Sequence, residues 1–585
     1  MSGRGLTEQR RAGVLAHLSS LPGGPGNGDL GAHSRYFVDW LANCGFSVWQ
    51  MLPLGPTHED LCPYQCLSVH AADPGFIDLQ QLVEAGYLSA EQAIPPTDLS
   101  RSELLNWRYQ RLRDARAGFV ARNGQNGKGQ AQIEGQAQGD GKGQAQWDGK
   151  GQAQGEEGQA QPGGQAQSEG TQPRGQAQEG RGQAQGEGQA QPEVQAQPEG
   201  QAPPPPQPPQ PEANSELREL RQFRACHSHW LEDYALYMAL RRENEFRPWW
   251  EWPQPLRDRQ PQALEEARER LGEELNQVVF EQFIFFRQWA ALRAYAAERG
   301  VLLFGDMPIF VAHDSAEVWA QREYFDLGAD GQPLSVAGVP PDYFAADGQR
   351  WGNPHYNWQR MAEDGFKWWL QRLETQLELF DFVRLDHFRG LAAYWSIPVE
   401  AETARDGHWE PAPGHDLLTA VAQRFGQIPL VAEDLGIITD DVVALREQFA
   451  LPGMKVLQFA FDSDSSNPYL PHNHTADSVV YTGTHDNDTT MGWYADLEPW
   501  VAERMYTYLG HPNEPMPWPL VRASLASVSG LAILPLQDLL ALGSDHRMNI
   551  PGVAEGNWRW RFEWEWLPDD LSGWLWGLNH LYGRV

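Results

Sequence analysis

Short runs rich in apolar, β-type residues recur along the chain at 13–18, 46–54, 301–311, 382–388, 430–435, 454–461, 478–484 and 531–536. They have the length and composition of strands and alternate with helical stretches. Runs of this kind read as strands covered on both faces, the environment of a parallel sheet. Between them lie stretches with helical spacing of apolar positions, at 365–379, 416–425, 440–449 and 502–509. Strand and helix in alternation, eight strands in all, predict an α/β fold of the (β/α)8 TIM-barrel type. The long stretch 57–300 between the second and third runs predicts a largely helical insertion, with helices at 102–120 and 216–242.

One segment breaks the pattern. Residues 123–214 contain nine copies of Gly-Gln-Ala-Gln and a proline-rich end at 203–211. With almost no Leu, Val, Ile or aromatic residues, this segment cannot bury enough apolar surface to offset its ordering entropy, and it predicts a disordered loop. The catalytic body is then 1–122 together with 215–585. Insertion between two helices costs little, because loop-closure entropy grows only logarithmically with length.

Composition narrows the function classes. The net charge is −33, and the insert, with 5 basic and 11 acidic residues, accounts for little of it. A body this acidic argues against nucleic-acid and anionic-membrane partners, which attract basic patches. No run approaches the roughly 20 apolar residues of a membrane span, and the N-terminus shows no secretory pattern. Four cysteines at 44, 62, 66 and 226 fit neither a disulfide framework nor a zinc spacing, so the chain reads as cytoplasmic. The 25 tryptophans are mostly core candidates, with a minority available as platforms for pyranose rings.

The chemistry gathers at the strand ends. In a TIM barrel the active site lies at the C-terminal ends of the strands, and four of the runs deliver carboxylates there: Asp306, Asp386, Glu433 with Asp434, and Asp486 beside His485. Asp434 and Asp488 also suit helix N-caps. For Asp386, Glu433 and Asp486 a structural role is a poor fit, since crowded carboxylates repel one another. Retaining glycoside chemistry needs this equipment, a carboxylate nucleophile with a protonated carboxylic acid about 5–5.5 Å away. Arg384, two residues before Asp386, points to the same side of its strand and is expected to keep that carboxylate ionised.

Six motifs then identify a resemblance: Gly305-Asp-Met-Pro-Ile-Phe-Val-Ala, Ala337-Gly-Val-Pro-Pro-Asp-Tyr-Phe, Gly348-Gln-Arg-Trp-Gly-Asn-Pro, Arg384-Leu-Asp-His-Phe-Arg-Gly, Ala432-Glu-Asp-Leu-Gly and Tyr481-Thr-Gly-Thr-His-Asp-Asn-Asp. In this order, over essentially the whole chain apart from the insert, they resemble the amylomaltase family of 4-α-glucanotransferases (glycoside hydrolase family 77). The resemblance implies that Asp386 is the nucleophile, Glu433 the general acid/base and Asp486 the residue gripping the reacting glucose. It implies that Arg384 and His485 line the same subsite with Asp306 in support, and that Tyr64 stacks on a sugar. It also implies a loop over the cleft at 337–354, with Tyr343, Phe344, Gln349 and Trp351 near the acceptor path, and places Phe459 and Asn549 at further family-like positions. Cys62 departs from the pattern, standing where relatives usually carry a serine. His387 reads either as part of the site or as a packed histidine below it. The substrates implied are maltooligosaccharides and other α-1,4-glucans, with neither metal nor organic cofactor. The alternatives are an α-1,4-glucan hydrolase, disfavoured by the short tail after the last strand, and a non-catalytic glucan-binding protein, disfavoured because all three acids are present.

Overall fold

The computed structural model describes residues 9–24, 26–124, 215–341, 346–553 and 555–585. Eight parallel strands form one sheet: β1 (Arg11–Leu15), β2 (Val48–Gln50), β3 (Leu302–Pro308), β4 (Phe382–Asp386), β5 (Leu430–Ala432), β6 (Gly453–Val456), β7 (Ser478–Tyr481) and β8 (Leu531–Pro535). Each strand pairs with its neighbour in sequence except β5 with β6, and β8 pairs with β1 in register from Arg11 opposite Leu531 to Leu15 opposite Pro535. Between β5 and β6 the circle is completed by the Ala432 N–H, which donates to Pro452 O at 2.8 Å. This is the barrel that the eight apolar runs predict. Strands β5, β7 and β8 are buried along their whole length, so no alternation shows in their sequence.

Local residue choice explains the close fit. Gly13 in β1 leaves no room for a side chain, because a Cβ there would lie 2.5 Å from the Val48 carbonyl oxygen on β2. The outer helices turn apolar stripes inward. The helix Gly414–Phe425 buries Leu417, Leu418 and Val421, and the helix Lys367–Leu379 buries Trp368, Trp369 and Leu373.

Two expectations need correction. The helix predicted over 216–242 is two helices, Ser215–Cys226 and Leu231–Glu243. At the break His227 hydrogen-bonds the Phe223 carbonyl and Glu378, Ser228 donates to Ala225 O, and Trp230 turns into the core. Side chains that satisfy the last carbonyls of a helix end it, and helical periodicity does not register them. The stretch 337–354, read as a loop, contributes two strands, Ser335–Val339 and Gln349–Pro354, to a four-stranded antiparallel sheet with Ala393–Pro398 and His408–Pro411. Cross-strand pairing between distant segments creates these strands. Nearly all of the low-complexity insert, from residue 125 to residue 214, lies outside the described residues.

Candidate active site

The four acids converge on one rim because the barrel's parallel strands all end there. Asp306 lies within β3, Asp386 is the last residue of β4, Glu433 directly follows β5, and His485 and Asp486 follow β7. At the centre stands Arg384, buried at 4% exposure. Its Nη1 donates to Asp306 Oδ2 at 2.6 Å and its Nη2 to Asp386 Oδ1 at 2.8 Å. Tyr64 OH donates to the same Asp306 oxygen at 2.9 Å and lies 2.9 Å from His485 Nε2, with the two rings stacked. His485 Nε2 is 3.3 Å from Asp486 Oδ2, and Asn549 Nδ2 donates to Asp486 Oδ1 at 2.6 Å.

Glu433 is held differently. The backbone N–H groups of His387 and Leu435 donate to its two carboxylate oxygens at 2.7 and 3.0 Å. The chain makes this possible by a left-handed turn at His387 (φ 52°), an uncommon conformation for a side-chain-bearing residue. His387 is therefore part of the site through its backbone, and its ring lies edge-on to Trp351 at 4.9 Å. Trp351 Nε1 in turn donates to Gln349 Oε1 at 3.1 Å. Phe459 packs edge-on against Tyr469 at 5.6 Å, and Tyr469 is close enough to feel the charge of Glu433. Tyr343 and Phe344 lie outside the described residues.

The environment separates the acids. Burial pushes the Glu433 carboxyl up to about 7; Arg384 and the two backbone donors oppose this, and the Asp386 charge adds to it. Asp386 is pushed up to about 6, again chiefly by burial, with Arg384 opposing and Asp306 and Asp486 adding. Arg384, expected to keep Asp386 ionised, does bond it and does favour the charged form. The guanidinium is in place, but exclusion of water outweighs it. Asp486 goes the other way: burial works to raise it, yet His485, Asn549 and Arg384 together hold it well below the usual range. Burial opposes the charge on His485, and Asp486 nonetheless raises its pKa.

Three features escape sequence reasoning. Trp558, with φ 64°, packs its ring against Tyr64 and His485 at centroid distances of 5.8 and 6.0 Å. Arg547 Nη2 donates to the Asp486 carbonyl at 3.0 Å. Both come from the segment after β8, where the cluster Trp558, Trp560 and Trp564, beside the family-like Asn549, is the signal that more than a tail is present. Asp434 is the third. It caps no helix, but accepts from the Met454 N–H at 2.7 Å and helps join β5 to β6. The Cys62 thiol is pushed up to about 12, chiefly by burial, and so stays uncharged. Among the described residues no cluster of His, Cys, Asp and Glu could hold a metal ion, and no helix is long and apolar enough to cross a membrane.

A family model described as 4-alpha-glucanotransferase matches residues 16–139 and 207–567. A 4-alpha-glucanotransferase of Thermus thermophilus is 42% identical, covering 96% of each chain. One of Synechocystis is 39% identical over 99% of each. Among solved structures, an amylomaltase from Streptococcus agalactiae in complex with acarbose superposes with a TM-score of 0.80 at 30% identity, covering 98% of this chain and all of that one.

Proposed function

From the premise that the chain belongs to the 4-alpha-glucanotransferase family and acts as a transferase on α-1,4-glucans, we propose that it does so by a retaining double displacement centred on Asp386 and Glu433. Asp386 attacks the anomeric carbon of a bound glucan. Glu433 gives its proton to the glycosidic oxygen, which leaves as the 4-hydroxyl of the departing segment. A glucosyl ester on Asp386 remains. Glu433, now ionised, takes the proton of an incoming 4-hydroxyl, and that oxygen displaces the ester and restores the α linkage.

The observation that carries this reading is the different treatment of two adjacent carboxyls. Arg384 hydrogen-bonds an oxygen of Asp386, while the bonds to Glu433 come from the His387 and Leu435 N–H groups, and burial pushes the two carboxyls up to about 6 and about 7. Such a pair assigns its own acid and nucleophile. Asp486, strongly ionised and braced by His485 and Asn549, is suited to accept the hydroxyls of the reacting glucose. Tyr64, Asp306 and Arg384 complete that subsite, and Trp351, Gln349 and Phe459 stand on the Glu433 side, where an acceptor would enter.

Maltotriose tests the transfer step of this reading, and the Asp386 and Glu433 variants test its residues. The expected products are glucose and a ladder of longer maltodextrins, because a sugar rather than water resolves the ester. Glucose and maltose alone, with nothing longer than the substrate, would establish hydrolysis instead.

A further inference from the structure

We propose that Asp538 is a positioning residue for this reaction: it clamps both ends of the loop that presents His485 and Asp486, and so sets where Asp486 meets the glucan. The inference rests on the role assigned above to Asp486. Asp538 belongs to the short helix Leu536–Leu539 directly after β8, and only 1% of it is exposed, so it touches no substrate. Its Oδ2 accepts from Thr482 Oγ1 at 2.6 Å and from Thr490 Oγ1 at 2.7 Å, and its Oδ1 accepts from the Thr490 N–H at 2.7 Å. Thr482 is the residue after β7, and Thr490 opens the helix Thr490–Ala495. Between them run residues 483–489, the loop carrying His485 and Asp486.

That loop is tied internally as well. Asn487 Oδ1 accepts from the N–H and hydroxyl of Thr484 at 2.8 and 2.9 Å, Gln458 Nε2 donates to Asp488 O at 2.9 Å, and Ser544 Oγ donates to Asp488 Oδ2 at 2.8 Å. A stiff loop held at both roots moves as a unit, and Asp538 is the group that fixes the roots to each other and to β8. A carboxylate is costly to bury unless its oxygens are bonded, and all three of these bonds go to the loop's two ends. Misplacement of a catalytic group by about 1 Å costs on the order of 100-fold in rate, so a distant clamp can govern turnover.

The test is a double-mutant cycle read by maltotriose disproportionation. Asp538→Ala is expected to lower kcat by about 100-fold with KM within about threefold of wild type. Asp538→Asn should recover most of the loss, because its amide oxygen still accepts from the Thr490 N–H and the two hydroxyls can turn to accept from its NH2. In an Asp486→Asn background, Asp538→Ala should change the residual turnover by less than about threefold, since a clamp acting only through Asp486 has nothing left to place. If Asp538→Ala does not fold, Thr482→Val combined with Thr490→Val carries the same cycle, with an expected loss of about tenfold. Wild-type kcat in the clamp variants, or a second full loss on top of Asp486→Asn, overturns the inference alone. Wild-type turnover in Asp486→Asn by itself sinks the reading of the site, and this inference with it.

Discussion

Asp386 and Glu433 are chemically almost the same group, and their neighbours make them different reagents. An Arg384 nitrogen at 2.8 Å bonds Asp386 directly, while Glu433 accepts from two backbone donors, and these together with the more distant Arg384 charge do not outweigh its burial. The pH dependence follows from the directions of the two shifts. On the proposed roles, protonation of Asp386 below about 6 would remove the nucleophile, and ionisation of Glu433 above about 7 would remove the acid. We therefore expect kcat/KM to trace a narrow bell with its maximum between these values, its limbs belonging to the interacting pair rather than to either acid alone. Glu433→Gln should remove the alkaline limb, and an unchanged limb in that variant would assign it to another group. Asp386→Asn, Glu433→Gln and Asp486→Asn should each lower turnover by roughly 10²–10⁴-fold or more, with circular dichroism unchanged. A variant that keeps turnover within tenfold would remove that residue from the mechanism.

At the scale of elements, the barrel's closeness of fit is itself a constraint. The β1–β2 contact depends on the missing side chain at Gly13, where a Cβ would meet both the carbonyl oxygen and the Cβ of Val48. Neither can move without shifting a strand. Gly13→Ala should destabilise the protein by about 1–3 kcal/mol, the usual cost of overpacking, seen as a lower midpoint of denaturant unfolding. An unchanged midpoint would show that the strands part more easily than their packing suggests. Elements were legible in the sequence where a single local rule decides them. The apolar runs of β3 and β4 and the stripe of the helix Lys367–Leu379 are examples. They were not legible where a distant partner decides. The strand Gln349–Pro354 exists because Ser335–Val339 lies beside it, and the break at His227 depends partly on Glu378, far away in sequence.

For the whole molecule, the insert's attachment points are informative. Asn123 Nδ2 donates to Glu216 Oε2 at 3.1 Å, so the two ends of the low-complexity segment are neighbours in space. We propose that residues 125–214 contribute nothing to the catalytic body and can be replaced by a short linker. Shortening removes about 0.6 kcal/mol of closure cost per halving of length, so the melting temperature should be unchanged or slightly raised. The maltotriose rate should stay within about twofold of that of the full chain. A melting temperature lower by several degrees, or a tenfold slower rate, would show that the segment packs on the enzyme. The sequence by itself determined the eight-stranded barrel and the rim on which its acids gather, because strand burial and strand order are written in local apolar pattern, although the runs at 46–54 and 454–461 extend past the strands Val48–Gln50 and Gly453–Val456. It also marked Asp386, Glu433 and Asp486, since charge is out of place at the end of a buried run. Only the tertiary structure decided how those acids differ. Their protonation depends on which groups stand within a few ångströms: Arg384 beside Asp386, the His387 N–H turned toward Glu433, and Asn549 from beyond β8 against Asp486. Folding brings those neighbours together from distant parts of the chain, and no local pattern encodes the distances between them.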